Sequence, residues 1–479
     1  MDLVTFSIKT KGAHNFARRL WTVFTRFGLS DARTRTSLRT IVECLGDHGS
    51  VPTFFIPAVV LGRHPQLLRE IAEEGAEIGV HGYVHNDYRT LSAGDQLAHT
   101  QRAVSVFRRT PLPFEGFRNP YYGWTDDSVR VFERLGFGYD SNEAVLHDVV
   151  HLDSLATRLR AGYEKSLALF QAIEANAYTL RPHFEGALVR IPTSIPDDEM
   201  LFDRLRITDP SAVGRLWGAV LRRVYDLGGV YCLNLHPERG MLCRRALETL
   251  LANAQGLERP VWVAPLRDIA AWWRERRTFR LSVTPLGNSC WQVEAECSPR
   301  AGILARHVSL ADARSTEWQG VDRRVDARRF VVRSKRCPAV AIAPDTPWDV
   351  VEFLREQGYP IVTAMPEDAA AYAAYVELPD GLGETREEQV RRRGELVRRI
   401  EQSGAPLVRF ALWPDGQQAA LSITGDIDSV TIQDFFLRIL EVRGRSEPRA
   451  VGASALPQPR VATVTMAEGS PPRQRVRAG

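Results

Sequence analysis

The sequence of 479 residues lacks the features that mark several large classes of protein. It contains no run of about 18 apolar residues, which argues against a membrane-spanning helix. Its formal net charge of +4 is small for this length, so nucleic acid is not expected as a partner. The start, Met1-Asp2-Leu3-Val4, shows no basic stretch followed by an apolar one, so we expect a cytoplasmic protein. Peripheral contact with a membrane stays open through the basic stretch 473–477, although a solvated terminus is the simpler interpretation.

Cysteine is also scarce. The six cysteines show no C-x-x-C spacing; they are Cys44, Cys232, Cys243, Cys290, Cys297 and Cys337. Because most of them fall in predicted strands or helices, we expect buried free thiols rather than a disulfide framework or a cysteine zinc site. Apolar residues make up 44% of the chain and charged residues 25%, which is typical of globular proteins and allows a sizeable core.

Short apolar strands alternate with amphipathic helices in the first part of the chain. Strands are predicted over Thr53–Pro57, Glu77–Val80, Gly116–Arg118, Leu188–Ile191, Val230–Leu235 and Val261–Ala264. Helices are predicted over Leu38–Leu45, Pro65–Glu74, Asp95–Arg108, Asp126–Leu135, Ala212–Leu227 and Arg244–Asn253. Strands separated by helical periods predict parallel βαβ units, and hence an α/β barrel or an open α/β sheet.

The composition changes after this part. We predict five regions: an α/β barrel over residues 1–277, a β-rich module over 278–335, an α/β connecting region over 336–405, a strand–helix segment over 406–443 and a disordered tail over 444–479. The stretch Glu384–Gln402, in which Glu and Arg alternate, is predicted to be a solvated helix.

Two histidines four residues apart, His81 and His85, follow the predicted strand Glu77–Val80. With this spacing the two imidazoles would project from one side of a helical turn and could hold one divalent metal ion. Taken alone the spacing is weak evidence, because such pairs are often polar surface residues. His147 and His151 repeat it on a predicted helix but have no neighbouring motif, and we interpret them as surface residues.

Further motifs follow in a fixed order. Arg118-Asn119-Pro120-Tyr121 comes after one predicted strand, and the segment from Leu233 to Pro237, with His236, comes after another. With the histidine pair and a strand that begins Thr-Phe-Phe, these motifs resemble the polysaccharide deacetylase (NodB-homology, carbohydrate esterase family 4-like) family over about residues 40–270. The resemblance implies a distorted (β/α) barrel and a metal-dependent amide hydrolase whose site lies at the C-terminal ends of the strands.

One motif of that family is missing from its usual place. The first strand of the family ends in two aspartates, whereas the matching strand here carries Ser7 and Ile8. The predicted strand Ala419–Thr424 instead leads into Asp426 and Asp428. Because about fifty residues remain, too few for a second barrel, we predict that this strand docks onto the N-terminal region in a circularly permuted barrel. The alternative is that these aspartates belong to a plain turn.

The resemblance implies a role for each of these residues. His81, His85 and Asp428 would be the metal ligands, with zinc favoured and iron, cobalt or manganese also compatible. Asp426 would be the general base that takes a proton from the attacking water, and Arg118 would pair with it and tune its pKa.

The remaining roles concern the acyl oxygen and the leaving group. The backbone N–H of Tyr121 would stabilise the oxyanion, and His236 would be the general acid that protonates the amine. Asp268 is the predicted partner of His236. Trp124 and Tyr122 either line a sugar site or are packing aromatics.

The predicted function is therefore a metal-dependent N-deacetylase that hydrolyses the acetamide of an N-acetylated amino sugar, in a glycan or in a lipid-linked or nucleotide-linked precursor. Two alternatives stay open at this point. One is a deformylase or another C–N amide hydrolase that uses the same metal site, and the other is a non-catalytic sugar-binding or scaffold protein.

Overall fold

The computed structural model describes residues 26–443, so the predicted first strand with Ser7 and Ile8 and the predicted tail 444–479 lie outside the described residues. The helices are α1 Ala32–Gly46, α2 Ala58–Arg63, α3 Pro65–Glu73, α4 Ala93–Arg109, α5 Asp126–Leu135, α6 Thr157–Phe170, α7 Pro210–Asp226, α8 Gly240–Gln255, α9 Leu266–Arg277, α10 Trp348–Glu356, α11 Arg386–Glu401 and α12 Ile432–Arg443.

The strands fall into one large sheet and three small ones. The strands of the large sheet are β1 Thr53–Ile56, β2 Glu77–Val80, β3 Gly116–Phe117, β4 Tyr139–Asp140, β5 Ala144–Leu146, β6 Ile173–Glu174, β7 His183–Glu185, β8 Leu188–Arg190, β9 Thr193–Ile195, β10 Val230–Leu235, β11 Val261–Val263 and β23 Ala419–Asp426. The others are β12 Arg280–Gly287, β13 Cys290–Glu296, β14 Ile303–Arg306, β15 Ser309–Leu310, β16 Ser315–Glu317, β17 Asp322–Val325, β18 Arg329–Arg333, β19 Cys337–Ile342, β20 Ile361–Thr363, β21 Tyr372–Val376 and β22 Leu407–Phe410.

The large sheet has the order β6-β5-β9-β10-β23-β1-β2-β3-β4-β8-β7, with β11 paired to β23. All of its pairings are parallel except that of β7 with β8. The sheet curls, and helices such as α4, α5, α7 and α8 pack on its outer face. The prediction of an α/β fold of the distorted-barrel type is confirmed.

The C-terminal strand β23 lies in the middle of this sheet, between β10 and β1, and runs parallel to both. Thr424 pairs with Thr53 at the start of β1, and Gly425 pairs with Leu235 at the end of β10. All eight residues of the strand are buried. Successive side chains of a strand point to opposite faces of the sheet, and here both faces are covered. Leu421 and Ile423 join the core beneath the outer helices, whereas Ala420 faces the core on the other side of the sheet. A strand from the end of the sequence therefore completes the N-terminal sheet.

The middle of the chain forms two four-stranded sheets, β12-β13-β18-β15 and β16-β17-β14-β22. Val293, Ile303 and Phe330 pack in one core with Trp272 of α9 and Trp413, so this β-rich region is joined to the large sheet by apolar contacts. The third small sheet, β20-β19-β21, is parallel and packs with α10 and α11. Because Val390, Leu396, Val397 and Ile400 of α11 are buried, the prediction of a fully solvated helix is wrong for one of its faces.

Several further predictions can be compared with the described residues. The cysteines are all free, and four of the six are buried. His147 is only 1% exposed and follows β5 outside any helix, so its interpretation as a surface helical residue is wrong. None of the helices within residues 26–443 is both long and apolar enough to cross a lipid bilayer.

Candidate metal centre

The candidate site lies where the C-terminal ends of five neighbouring strands meet, namely β10, β23, β1, β2 and β3. His81 follows β2, Arg118 follows β3 and His236 follows β10, while Asp426 is the last residue of β23. Because parallel strands place their C-terminal ends at one edge, these side chains converge although they are far apart in the sequence. The backbone register places His236 beside Asp426, since the preceding residues of the two strands are paired.

Three side chains in this site fit a divalent metal ion. Oδ1 of Asp428 lies 3.5 Å from Nε2 of His81 and 3.2 Å from Nε2 of His85. Two ligands of one tetrahedral ion, each about 2.0–2.1 Å from it, lie about 3.3–3.4 Å apart, so these spacings suit such an ion. Oδ1 of Asp428 is buried and has no hydrogen-bond partner, which leaves its lone pairs available. Two imidazoles and one carboxylate also form a suitable donor set for zinc.

The two histidines reach this arrangement without a helix. Residues 81–87 form a loop after β2, and Gly82 has a φ of 81°, so the predicted helical turn is wrong. The ring centroids of His81 and His85 nevertheless lie only 5.3 Å apart, because the loop bends back on itself. The spacing of four residues therefore identified a real pair for the wrong local reason.

The surroundings of the two imidazoles leave their Nε2 atoms free to bind a cation. Nδ1 of His81 lies 2.8 Å from the carbonyl oxygen of Arg118, so this nitrogen carries the proton and donates it. Burial lowers the pKa of His85, despite the opposing carboxylate of Asp428, and therefore favours the neutral ring that a metal requires. Both observations support ligation by Nε2.

Asp428 is held in place by a cation as well. Its Oδ2 accepts a hydrogen bond from Nη1 of Arg438 on α12. Burial alone would raise the pKa of Asp428, but His85 and Arg438 outweigh it, and the pKa is held well below its ordinary value. The carboxylate is therefore ionised, with one oxygen toward the arginine and the other toward the imidazoles.

Asp426, the predicted base, lies in a fully buried polar network. Its Oδ1 lies 3.3 Å from Nη1 of Arg118, and its Oδ2 accepts a hydrogen bond of 2.9 Å from Nδ2 of Asn234. Arg118 also donates to Asn234 Oδ1 and to Thr424 Oγ1, both at 2.7 Å, and to Ser141. The predicted pairing of Arg118 with Asp426 is thus present, and Asn234 is a partner that the sequence did not reveal.

The backbone at Tyr121 has an unusual conformation. Its φ is 60° and that of Tyr122 is 52°, values that side-chain-bearing residues adopt rarely and that are often found at functional sites. The Tyr121 ring contacts the ring of His85 at 4.6 Å between centroids, with the planes at 84°. This contact places Tyr121 beside His85, and its role as an oxyanion donor stays a prediction.

His236 is oriented by Asp198, which follows β9. Nδ1 of His236 lies 2.7 Å from Oδ1 of Asp198, and Arg239 donates to the other carboxylate oxygen at 3.3 Å. Burial alone would lower the pKa of His236, but the Asp198 carboxylate outweighs it and raises the pKa well above its ordinary value. His236 is therefore a protonated imidazole near neutral pH, which is the form that a general acid requires.

The prediction that Asp268 orients His236 is wrong. Asp268 is in the first turn of α9, where its neighbour Arg267 donates its N–H to Glu77 at the start of β2. That position lies at the opposite end of the strands from His236. The pair Asp197-Asp198 directly after the buried strand β9 was the signal available in the sequence.

Replacing Asp198 with asparagine is expected to lower the pKa of His236, because the imidazolium loses its ionised partner. The acid form would then be lost at a lower pH, so the basic limb of the pH profile of kcat should move to lower pH. The measurement is kcat against pH for the wild-type protein and the variant. Asp203→Asn is the matched control, since Asp203 pairs with Arg239 but not with His236; an equal shift in the control would contradict the prediction.

The two aromatic residues after the arginine motif are mainly packing residues. Trp124 and Tyr122 are 6% and 4% exposed. The guanidinium carbons of Arg190 and Arg386 lie 3.8 and 4.5 Å from the centroid of the Trp124 ring. The burial of the indole and its contacts with two guanidinium groups favour packing over a sugar-stacking role.

The chain is similar to known proteins mainly in the region around the two histidines. Residues 30–139 match the family model for polysaccharide deacetylases. The chain is 33% identical over 94 residues to the peptidoglycan deacetylase-like protein FGM2 of Gibberella zeae, and 23% identical over 201 residues to the peptidoglycan deacetylase of Helicobacter pylori. A solved Mycobacterium smegmatis protein described as a polysaccharide deacetylase is 24% identical, with a TM-score of 0.40, and the alignment covers 56% of this chain and 85% of that one.

The two curated matches cover 19% and 39% of this chain and 27% and 66% of the relatives, so each spans only part of the relative that it matches. The matched stretch 30–139 contains His81, His85, Arg118 and Tyr121, whereas Asp426 and Asp428 lie outside it. The region around the two histidines is therefore similar to the polysaccharide deacetylase family over residues 30–139.

Proposed function

We propose that this protein is a metal-dependent N-deacetylase that hydrolyses the acetamide of an N-acetylated amino sugar. The observation that carries the proposal is the convergence of His81, His85 and Asp428 around one buried carboxylate oxygen, beside Asp426 and His236. This arrangement combines three candidate metal ligands with a carboxylate base and a protonated imidazole. An amide hydrolase needs each of these groups.

Each residue has one task in the reaction. A divalent ion held by the three ligands would supply a Lewis acid for the attacking water and for the acyl oxygen. Asp426, fixed by Arg118 and Asn234, takes a proton from the water as its oxygen attacks the acetyl carbon. The N–H of Tyr121 donates to the oxygen that becomes negative in the tetrahedral intermediate. His236 then gives its Nε2 proton to the amide nitrogen.

The substrate is proposed to be a glycan or a lipid-linked or nucleotide-linked precursor that carries N-acetylated amino sugars. The family match of residues 30–139 supports a carbohydrate substrate, and the two curated relatives are named for peptidoglycan. The amide alternatives, a deformylase or another C–N hydrolase, would use the same residues. They differ only in the acyl group and the ring that the pocket accepts.

The test is acetate release from triacetylchitotriose, measured with the zinc-loaded protein and with chelator-treated protein. We expect acetate from the loaded protein, its loss after chelation and its recovery when zinc is added back, because hydrolysis needs the metal. The same oligosaccharide with N-formyl in place of N-acetyl groups is assayed in parallel. The ratio of the two rates measures which acyl group the protein prefers. Faster hydrolysis of the formamide would favour the deformylase. Failure to hydrolyse either amide, with metal bound, would favour the non-catalytic alternative.

A further inference from the structure

A second carboxylate approaches His236 at the ring nitrogen that does not face Asp198. Oε2 of Glu199 lies 3.9 Å from Nε2 of His236, which is the nitrogen that would hand its proton to the leaving group. Asp198 occupies the other ring nitrogen, so the two carboxylates lie at opposite ends of the imidazole. Nothing in the mechanism above uses Glu199.

The backbone holds Glu199 in this position. Residues Glu199–Arg204 form a π-helical turn, a rare conformation that is enriched at functional sites. The N–H of Glu199 donates to Asp198 at 2.9 Å, and Arg204 holds the other carboxylate oxygen of Glu199. The side chain is 27% exposed, so a bound molecule can reach it.

We propose that Glu199 binds the nitrogen of the substrate when it becomes positively charged, and so makes the site selective for amides over esters. This inference rests on the proposed N-deacetylase function. In the tetrahedral intermediate the nitrogen takes the Nε2 proton of His236 and carries a positive charge while it is still bonded to carbon. The C–N bond then breaks with its electron pair on nitrogen, which leaves a neutral amine and acetic acid, and the proton of the acid passes to the amine.

A carboxylate beside that nitrogen stabilises the charged intermediate and the ammonium product. Such a contact is made only as the reaction proceeds, and it therefore raises kcat. An acetate ester gives no lasting cation, because the protonated oxygen departs as a neutral alcohol. The Glu199 carboxylate thus distinguishes acetamides from acetate esters by the charge of the leaving group, although both substrates carry the same acyl group.

Glu199→Gln keeps the shape of the side chain and removes its charge. We expect kcat for triacetylchitotriose to fall about tenfold and the Kd of the product analogue glucosamine to rise about tenfold, the size expected for loss of one charge-assisted hydrogen bond. Hydrolysis of 4-nitrophenyl acetate, whose leaving group departs as an anion and never carries a positive charge, should change less than about twofold. Glucosamine binding is measured by calorimetry on the zinc-loaded protein and needs no turnover.

Glu238→Gln is the matched control, because Glu238 also raises the pKa of His236 but pairs with Arg239 at 3.4 Å. The control should keep the wild-type preference for amide over ester. Equal losses on amide and ester in Glu199→Gln, unchanged glucosamine affinity, or no saturable glucosamine binding by the wild-type protein would each overturn the role of Glu199. A wild-type protein that hydrolyses no amide yet binds glucosamine through Glu199 would refute the proposed function and not this contact.

Discussion

Replacing Asp426 with asparagine is expected to lower kcat for acetate release by about 10²–10⁴-fold, the usual contribution of a general base. Bound metal should stay at the wild-type level, because the Asp426 oxygens face Arg118 and Asn234 rather than the two histidines. Asparagine has the same shape and can still accept a hydrogen bond from Arg118. The two measurements are acetate release at saturating substrate and elemental analysis of the purified variant.

Loss of turnover must be separated from loss of the fold. Arg118 is fully buried and would lose its ionised partner, but it keeps neutral acceptors on Ser141, Asn234 and Thr424, so we expect a folded variant. Thermal unfolding checks this point. Asp415→Asn is the matched control, since Asp415 carries the same charge in the same C-terminal segment but is half-exposed and pairs with Arg300. A general base contributes about 10²–10⁴-fold to kcat. If kcat of a folded Asp426→Asn protein falls by less than about tenfold, the base is therefore another residue.

Local sequence signals predicted most elements of the fold. Helix α5 begins and ends where the sequence predicts, because Thr125 and Ser128 cap its start and Gly136 adopts a left-handed conformation at its end. Strands β2 and β10 were also predicted with their observed bounds. The two- and three-residue strands between residues 139 and 195 were mostly missed, since so few residues show no periodicity.

The order of the strands does not follow from periodicity. A buried apolar strand such as Ala419–Asp426 could pair with any sheet, and only Asp426 at its end and Asp428 after it indicated which one. The structure gives the physical reason for its position. β23 supplies backbone hydrogen bonds to both β1 and β10, which would otherwise have open edges in the middle of the sheet.

Site residues could be predicted from the sequence where they lie at the end of a predicted strand or directly after it. Four residues do so, namely His81, Arg118, His236 and Asp426. Asp268 also follows a strand but was wrongly placed, because β11 pairs only with the first residues of β23 and so ends far from the C-terminal ends of the strands. Partners such as Asn234, Asp198 and Arg438 were missed, since their contacts depend on tertiary packing rather than on spacing.

Replacing Asp428 with alanine is expected to remove the metal, and acetate release with it. Asp428 supplies the one anionic ligand of the set, and its loss would leave the positive charge of Arg438 uncompensated near His85. We therefore expect a loss of zinc affinity greater than the 10–100-fold that loss of an outer hydrogen-bond partner costs. The measurement is zinc affinity by competition with a chromophoric chelator. Folding is checked by circular dichroism, because the alanine leaves Arg438 without its carboxylate.

The comparison of Asp428→Ala with Asp426→Asn tests whether the C-terminal segment supplies a metal ligand to the site that contains His81 and His85. If β23 completes the N-terminal site, the first variant loses zinc and the second keeps it, although the two residues lie in one segment. Asp428→Ala combined with His81→Ala should then lose little more affinity than either change alone, because both remove ligands of one ion. Zinc bound equally well by wild type and a folded Asp428→Ala protein would show that the C-terminal carboxylate takes no part in the metal centre. Asp428 would then be a turn residue, and the histidines would need another anionic partner.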